Sequence, residues 1–241
     1  MSSRQFTLSS FQQEKLKYYF KFFQPNEQNV LDEGSLAKFM KRVLEYTGWD
    51  PKSSDAREIE EVHEAFFEIL FDKTAGGRPY YEAAHLITLE DWLAVWTRLI
   101  PGCKGMMNFP VWLRLLPKTL FRMMDRDKDA EIAESELCDF YLHMVNLPED
   151  EAKANSHLAY AQMTDNGRYP LNMDGYEQIF SNFLLGQTPH GPGRHIFGCF
   201  EHSVDKTPFR LIKPASVDED MEREVKVYLE KRPKRMSLNA M

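Results

Sequence analysis

Three features of the sequence predict an all-α fold. Apolar residues recur at three- and four-residue steps in eight separate segments, polar breaks between them carry helix start and stop signals, and no strand-like alternation runs beyond a few residues. Hydrophobic residues make up 43% and charged residues 28%, which is a globular composition rather than a disordered or membrane one. The 241 residues suffice for one large domain or two small ones.

Ser10 and Gln13 form a Ser-x-x-Gln capping pattern that opens an aromatic-rich helix, with Phe11, Leu16, Tyr19, Phe20 and Phe23 on one face. Pro25 and Asn26 interrupt it. A second helix is expected over 33–46, with Leu36, Phe39, Met40, Val43 and Leu44 inward; Gly48, Asp50 and Pro51 stop it. A third covers 54–71 through Ile59, Val62, Phe66, Ile69 and Leu70. The stretch 72–85, with Gly76, Gly77 and Pro79, reads as irregular. A fourth helix carries Leu89, Trp92, Leu93 and Trp96 and ends at Pro101 and Gly102.

The second half repeats this rhythm. One helix spans 110–124 with Pro117 inside it, and another spans 134–145. A third starts at Pro148, where Glu149 and Asp150 suit the positive N-terminal end, and a last one covers 172–184. The segment 203–241 reads as an appendage. It holds a short amphipathic helix (Val217, Met221, Val225, Tyr228, Leu229) and the basic run Lys231-Arg232-Pro233-Lys234-Arg235, followed by Ser237 in a context that suits basic-directed kinases.

A net charge of −7 argues against nucleic acid as the main partner, because phosphate binding needs a basic surface. No apolar run approaches 18 residues, so no transmembrane segment is expected, and the N-terminus lacks the apolar stretch of a secretory signal. Cys103, Cys138 and Cys199 are odd in number and widely spaced, which suits free thiols in a reducing compartment and a cytoplasmic location.

The strongest local signal runs from Asp125 to Glu136. A twelve-residue calcium loop uses oxygens at positions 1, 3, 5, 7, 9 and 12. Asp125, Asp127 and Asp129 supply carboxylates at positions 1, 3 and 5, and the Glu131 backbone carbonyl serves position 7. Ala133 has no side-chain oxygen, so position 9 uses a water; Glu136 at position 12 is the bidentate ligand. The alternative is a solvated acidic turn, in which four unneutralised carboxylates would repel one another. Position 6 is Ala130, where the turn normally takes glycine. A positive φ there costs roughly 1 kcal/mol or a little more, which approaches a tenfold loss of affinity, so micromolar binding with magnesium competing is the expectation.

With this loop, the segment Asp91-Trp92-Leu93-Ala94-Val95-Trp96 and the closing run Gly193-Arg194-His195-Ile196-Phe197-Gly198, the chain resembles the EF-hand superfamily, and within it the invertebrate sarcoplasmic calcium-binding proteins and calexcitins. The likeness covers residues 10–200. It implies an all-α fold of four EF-hand helix–loop–helix units in two paired lobes, 10–100 and 108–200, with 203–241 as a C-terminal extension. It also implies calcium or magnesium binding and a role as a cytosolic buffer or signal protein.

Registered on that family, the other loops are damaged. Gln24, Asn26, Gln28, Asp32 and Ser35 take positions 1, 3, 5, 9 and 12 of the first, and neutral amides replace carboxylates. The second is lengthened and only Asp91 reaches its last position. Thr164, Asn166, Arg168, Asn172 and Gly175 take those places in the fourth, where Arg168 puts a positive charge at the cation's position. All three are expected to be metal-free. Position 8 stays aliphatic throughout (Leu31, Ile87, Ile132, Leu171), which predicts short bridges pairing the first loop with the second and the third with the fourth.

Met106, Met107, Met123, Met124, Met144 and Met163 fit helical core filling better than a calcium-gated groove. His190 and His195 lack zinc-spaced partners and read as loop histidines, and Cys138 as a buried helix cysteine. No phosphate-binding loop, dinucleotide fingerprint or nucleophile elbow is present, so no enzyme is expected. The reading is a calcium-binding protein with one working site. A single site in 28.3 kDa favours a sensor or adaptor over a buffer, with a protein target met through a lobe groove or the extension. Two alternatives stand behind it. One is a calcium-independent scaffold whose loop is structural or magnesium-filled. The weaker is a small-molecule kinase like the insect relatives known as juvenile hormone diol kinases.

Overall fold

The first helix, α1 (Ser10–Phe22), begins at a cap formed one residue earlier than the sequence pattern suggests. Ser9 rather than Ser10 is the capping residue. Its Oγ accepts the Gln12 N–H at 3.1 Å, and the Gln12 side chain accepts the Ser9 N–H at 3.0 Å. Both registers satisfy the Ser-x-x-Gln pattern, and burial decides between them, since Gln12 is the residue turned inward.

The computed structural model describes residues 6–74, 86–201 and Val227. Among these, seven more helices follow: α2 (Glu33–Thr47), α3 (Ser54–Thr74), α4 (Leu89–Leu99), α5 (Val111–Met124), α6 (Glu134–His143), α7 (Glu149–Met163) and α8 (Met173–Leu185). The third helix runs to Thr74, three residues into the stretch 72–85 expected to be irregular, and the rest of that stretch lies outside the described residues. So does the C-terminal extension with its basic run and Ser237, apart from Val227. Pro148 caps α7 rather than starting it. Gly48 closes α2 in the left-handed region at φ 69°, with its N–H on the Leu44 carbonyl. No helix among the described residues is long and apolar enough to cross a membrane.

Two short strands, β1 (Val30–Leu31) and β2 (Ile87–Thr88), pair antiparallel and place Leu31 opposite Ile87. In the second half the Ile132 N–H donates to the Leu171 carbonyl at 2.9 Å, beside an isolated bridge between Glu131 and Asn172. The four position-8 side chains are therefore joined in the expected pairs, and all four are buried.

One hydrophobic core runs through both halves. Tyr19 stacks on Phe197 at 4.2 Å and meets Trp92 and Phe183 edge-on at 5.1 and 5.8 Å. Phe22 lies 4.8 Å from Phe197 and 5.9 Å from Phe140. Such offset and edge-on ring pairs add roughly 0.5–1.5 kcal/mol each beyond their buried area. The Trp92 indole N–H finds the Leu16 carbonyl at 3.0 Å, which ties α4 to α1. The closing segment wedges against α8, where a Cβ on Gly193 would come 2.2 Å from the Phe183 nitrogen; only glycine fits.

Polar side chains on α1 tie it to the far end of the chain. Gln12 donates to the Leu184 carbonyl at 3.3 Å, and Ser9 to that of Gln187 at 3.0 Å. The buried Lys15 ammonium donates to the carbonyls of Asn182 and Gly186 at 3.1 and 2.8 Å, between the rings of Phe11 and Phe183. The carbonyls left over at the end of α8 are thus satisfied by the first helix. Arg42 makes a similar link. It donates to the Phe22 carbonyl at 2.8 Å and also to the carbonyl of Met144, at the end of α6.

Burial pulls the Lys15 ammonium down from 10.5 to about 7, with nearby Cys199 opposing the shift. Between those values the unfolded chain holds the proton and the folded chain releases it. The destabilisation is therefore complete below about pH 7 and is relieved as pH rises toward about 10.5. Cys199, pushed up to about 12 by burial, acts with the opposite sign at high pH. Denaturant melts of wild type and Lys15→Met, run near pH 7 and near pH 9.5, separate the two. The stability difference, wild type minus variant, is expected to grow with pH; a flat difference would assign the ammonium no linkage.

Candidate metal centre

The acidic loop is held between two buried helix ends. Phe121, Met123 and Met124 anchor the end of α5, and Leu137 and Phe140 anchor the start of α6. Between them the loop folds by turning its carboxylates onto its own backbone. Asp125 Oδ2 accepts the Ala130 N–H at 3.2 Å, Asp127 Oδ1 that of Asp129 at 3.2 Å, and Asp129 Oδ1 that of Glu131 at 2.8 Å. These turns require left-handed backbone at Lys128 (φ 62°) and Ala130 (φ 70°). Position 6 thus adopts the conformation that favours glycine, with alanine in it.

Glu136 closes the loop. It is 9% exposed. Its Oε1 accepts the N–H groups of Arg126 at 2.7 Å and Asp127 at 3.4 Å, and its Oε2 accepts that of Ala133 at 2.9 Å. A residue in the first turn of α6 therefore holds both ends of the loop.

Carboxylate oxygens of Asp125, Asp127 and Glu136 all lie within 4.8 Å of one another. Asp125 Oδ1 is buried and has no hydrogen-bond partner. A buried carboxylate oxygen without donors, beside two further carboxylates, is a site that fits a cation, because both repulsion and lost hydration are relieved by positive charge. The donors are all oxygen, which suits calcium or magnesium rather than thiolate- or imidazole-preferring metals. Of the five residues expected from sequence, three bring side chains into this cluster. The Asp129 carboxylate is turned to the Glu131 N–H, and Glu131 is exposed.

The first loop closes on itself. The Asn26 amide donates to Asp32 Oδ2 at 3.0 Å and its oxygen accepts the N–H groups of Gln28 and Val30 at 3.0 and 3.2 Å. The side-chain amide thus makes the bonds that a cation's ligands would otherwise make. In the second, Asp91 caps α4 by accepting from the N–H and hydroxyl of Thr88 at 3.1 and 2.7 Å. In the fourth, Asp165, Asn166 and Gly167 are all left-handed (φ 52°, 58° and 80°), and the Tyr169 N–H returns to the Thr164 carbonyl at 2.9 Å. The expected placement of Arg168 is corrected. Its side chain is 71% exposed, 3.7 Å from Asp165 Oδ2 and over the Tyr169 ring, because the tight backbone turn leaves no interior for it. Among the described residues no second cluster of His, Cys, Asp or Glu is arranged for a metal.

The remaining chemistry-bearing residues divide similarly. His195 is buried rather than in an open loop. Its Nε2 meets the Gln162 amide oxygen at 2.8 Å, and burial followed by the Arg194 charge lowers it to about 3. Cys138 is half-buried. Met106, Met123, Met124, Met144 and Met163 are core residues, whereas Met107 is exposed. The contacts that sequence reasoning missed are tertiary. Lys128 at position 4 reaches Asp55 on α3 at 3.1 Å, and Arg126 at position 2 reaches Asp139 at 3.3 Å and lies over the Tyr46 ring.

No protein-family model matches the chain. Two groups of sarcoplasmic calcium-binding proteins from Branchiostoma lanceolatum (II, V, VI and VII; I, III and IV) are each 23% identical to it over 198 residues, 76% of this chain and 100% of theirs. The structure of a sarcoplasmic calcium-binding protein from amphioxus superposes with a TM-score of 0.60 at 22% identity, covering 79% of this chain and 98% of that one. The calcium-loaded apo form of the coelenterazine-binding protein from Renilla muelleri gives 0.53 at 14% identity, covering 78% and 96%. A calcium-binding protein of Streptomyces coelicolor gives 0.52 at 16%, covering 72% and 97%. The chain resembles the sarcoplasmic calcium-binding proteins over most of its length and has their helical fold.

The left-handed alanine sets a direct test. Ala130→Gly removes a strain of roughly 1 kcal/mol that the fold carries without any ion, so stability in a metal-free denaturant melt is expected to rise by about that amount. An unchanged or lower stability would show that the loop carries no strain at position 6.

Proposed function

We propose that the chain is a calcium-binding protein whose ion site is the loop from Asp125 to Glu136, and that it binds the ion with its helices closed. The buried, unpartnered Asp125 Oδ1 within the carboxylate cluster carries this reading. Asp125, Asp127 and Glu136, joined by Asp129, would hold the ion through side chains, and Glu131 through its carbonyl. Calcium supplies there the positive charge that the carboxylates lack. Glu136 supports the same site from the protein side, because its bonds to Arg126, Asp127 and Ala133 fix the two ends of the loop together. The relatives' calcium binding agrees with this reading.

The closed form is favoured by what α6 touches. Phe140 packs on Phe22, the Tyr141 hydroxyl donates to the His195 carbonyl at 2.6 Å in the core, and Arg42 holds the Met144 carbonyl. Swinging α6 outward would break all three and expose Leu137, Phe140 and Tyr141 to water, at roughly 1.5–3 kcal/mol for each large side chain. Met106, Met123, Met124, Met144 and Met163 likewise fill the interior rather than line a groove. This favours a buffer-like protein over one that captures a target through a newly opened lobe.

Calorimetry with calcium in millimolar magnesium, on wild type and Glu136→Gln, tests the site. One binding event in the wild type that disappears in the variant is expected; no heat in the wild type would overturn the calcium reading. A hydrophobic dye added to the same samples tests closure. Little change in fluorescence on adding calcium is expected, and a large rise would overturn the closed form in favour of a sensor.

A further inference from the structure

The calcium loop carries two cations of its own, Arg126 at position 2 and Lys128 at position 4, alternating with the carboxylates of Asp125, Asp127 and Asp129. Left to themselves, such side chains on a flexible stem would fold back over the carboxylates, neutralise them and compete with a metal ion. In the structure both are held away by groups outside the loop. The Arg126 guanidinium is 3.3 Å from Asp139 Oδ2 on α6 and lies 5.5 Å from the Tyr46 ring on α2. The Lys128 ammonium is 3.1 Å from Asp55 Oδ2 in the first turn of α3, 73 residues away in sequence. Lys128 is 68% exposed and Asp55 only 29%, so the lysine comes to a carboxylate already fixed on the helix. The neighbouring contact between Arg122 and Glu58, one turn further along α3, keeps that face of the N-terminal half against the end of α5.

We propose that Asp55 is a positioning residue for the ion site: by holding Lys128 outward, the N-terminal half keeps the loop's carboxylates free for calcium. This inference rests on the reading of 125–136 as a calcium loop. An exposed ion pair contributes little to folding, so the effect is on the ion rather than on the fold. Lys128 and the carboxylates lie within the same few residues of chain, well inside the Debye length of about 10 Å, so the lysine's position registers in the affinity. The second loop and its flanking helices bind no ion in this account, yet α3 sets the affinity of a site in the other half.

A double-mutant cycle tests this on the full chain. Asp55→Asn is expected to weaken calcium binding about threefold in the wild-type background and to have almost no effect in a Lys128→Gln background. The same loss in both backgrounds would show that Asp55 acts only through its own charge, and would overturn the proposal while leaving the calcium loop intact. No calcium binding by the wild type would overturn both readings together. A second measurement needs no ion. Thermal melts of the same four proteins without metal are expected to show a small coupling between the two positions that fades in 1 M salt, and strictly additive effects at low salt would overturn the contact on which the proposal stands.

Discussion

The aromatic face of α1 is the constraint on which the rest of the molecule hangs. Tyr19, Phe20, Phe22 and Phe23 cannot be covered by one helix partner, and they meet rings from both halves: Trp92 and Phe66 on one side, Phe140, Phe183 and Phe197 on the other. The closing segment lies over this face and requires Gly193 to reach it. On the buried face of α1, Lys15 and Gln12 find partners at the carbonyls ending α8, and Trp92 of α4 donates to the α1 carbonyl of Leu16. The buried lysine sits at the negative end of a helix, which explains its place, and its burial lowers its proton affinity.

The same packing decides what the acidic loop can do. Its entering and exiting helices are fixed in a core shared by both halves, so the loop is strained and charged within a stiff frame. Two left-handed residues without glycine and a buried carboxylate oxygen without a donor are local costs in the metal-free protein. The unpartnered oxygen lies where an ion would relieve it. The first and fourth loops also hold left-handed residues other than glycine, Gln24 and Asn29 in one and Asp165 and Asn166 in the other, but among the described residues neither holds a buried carboxylate oxygen without a donor. All four position-8 residues are buried, and the loops stay paired through them.

Much of this was legible in the chain itself. Helix boundaries followed from capping residues and apolar spacing within a residue or two, the Ser9 cap and the start of α7 at Pro148 included; the exception is α3, which runs three residues past the expected end, to Thr74. The ligand candidates were legible because a calcium loop is contiguous: its geometry is written in one stretch of sequence. The burial of His195 and the outward turn of Arg168 were not, since each depends on what neighbouring elements leave room for.

By itself, then, the sequence determined the all-α class, the order of the helices, the pairing positions of the loops and the residues able to hold an ion, all of which depend on neighbours a few residues apart. Only the tertiary structure decided that both halves share one core, that α6 is tied to α1 through Arg42, and that Asp55 holds Lys128. Those outcomes depend on residues distant in the chain, whose approach is set by the packing of large rings into one volume and leaves no periodic trace in the sequence.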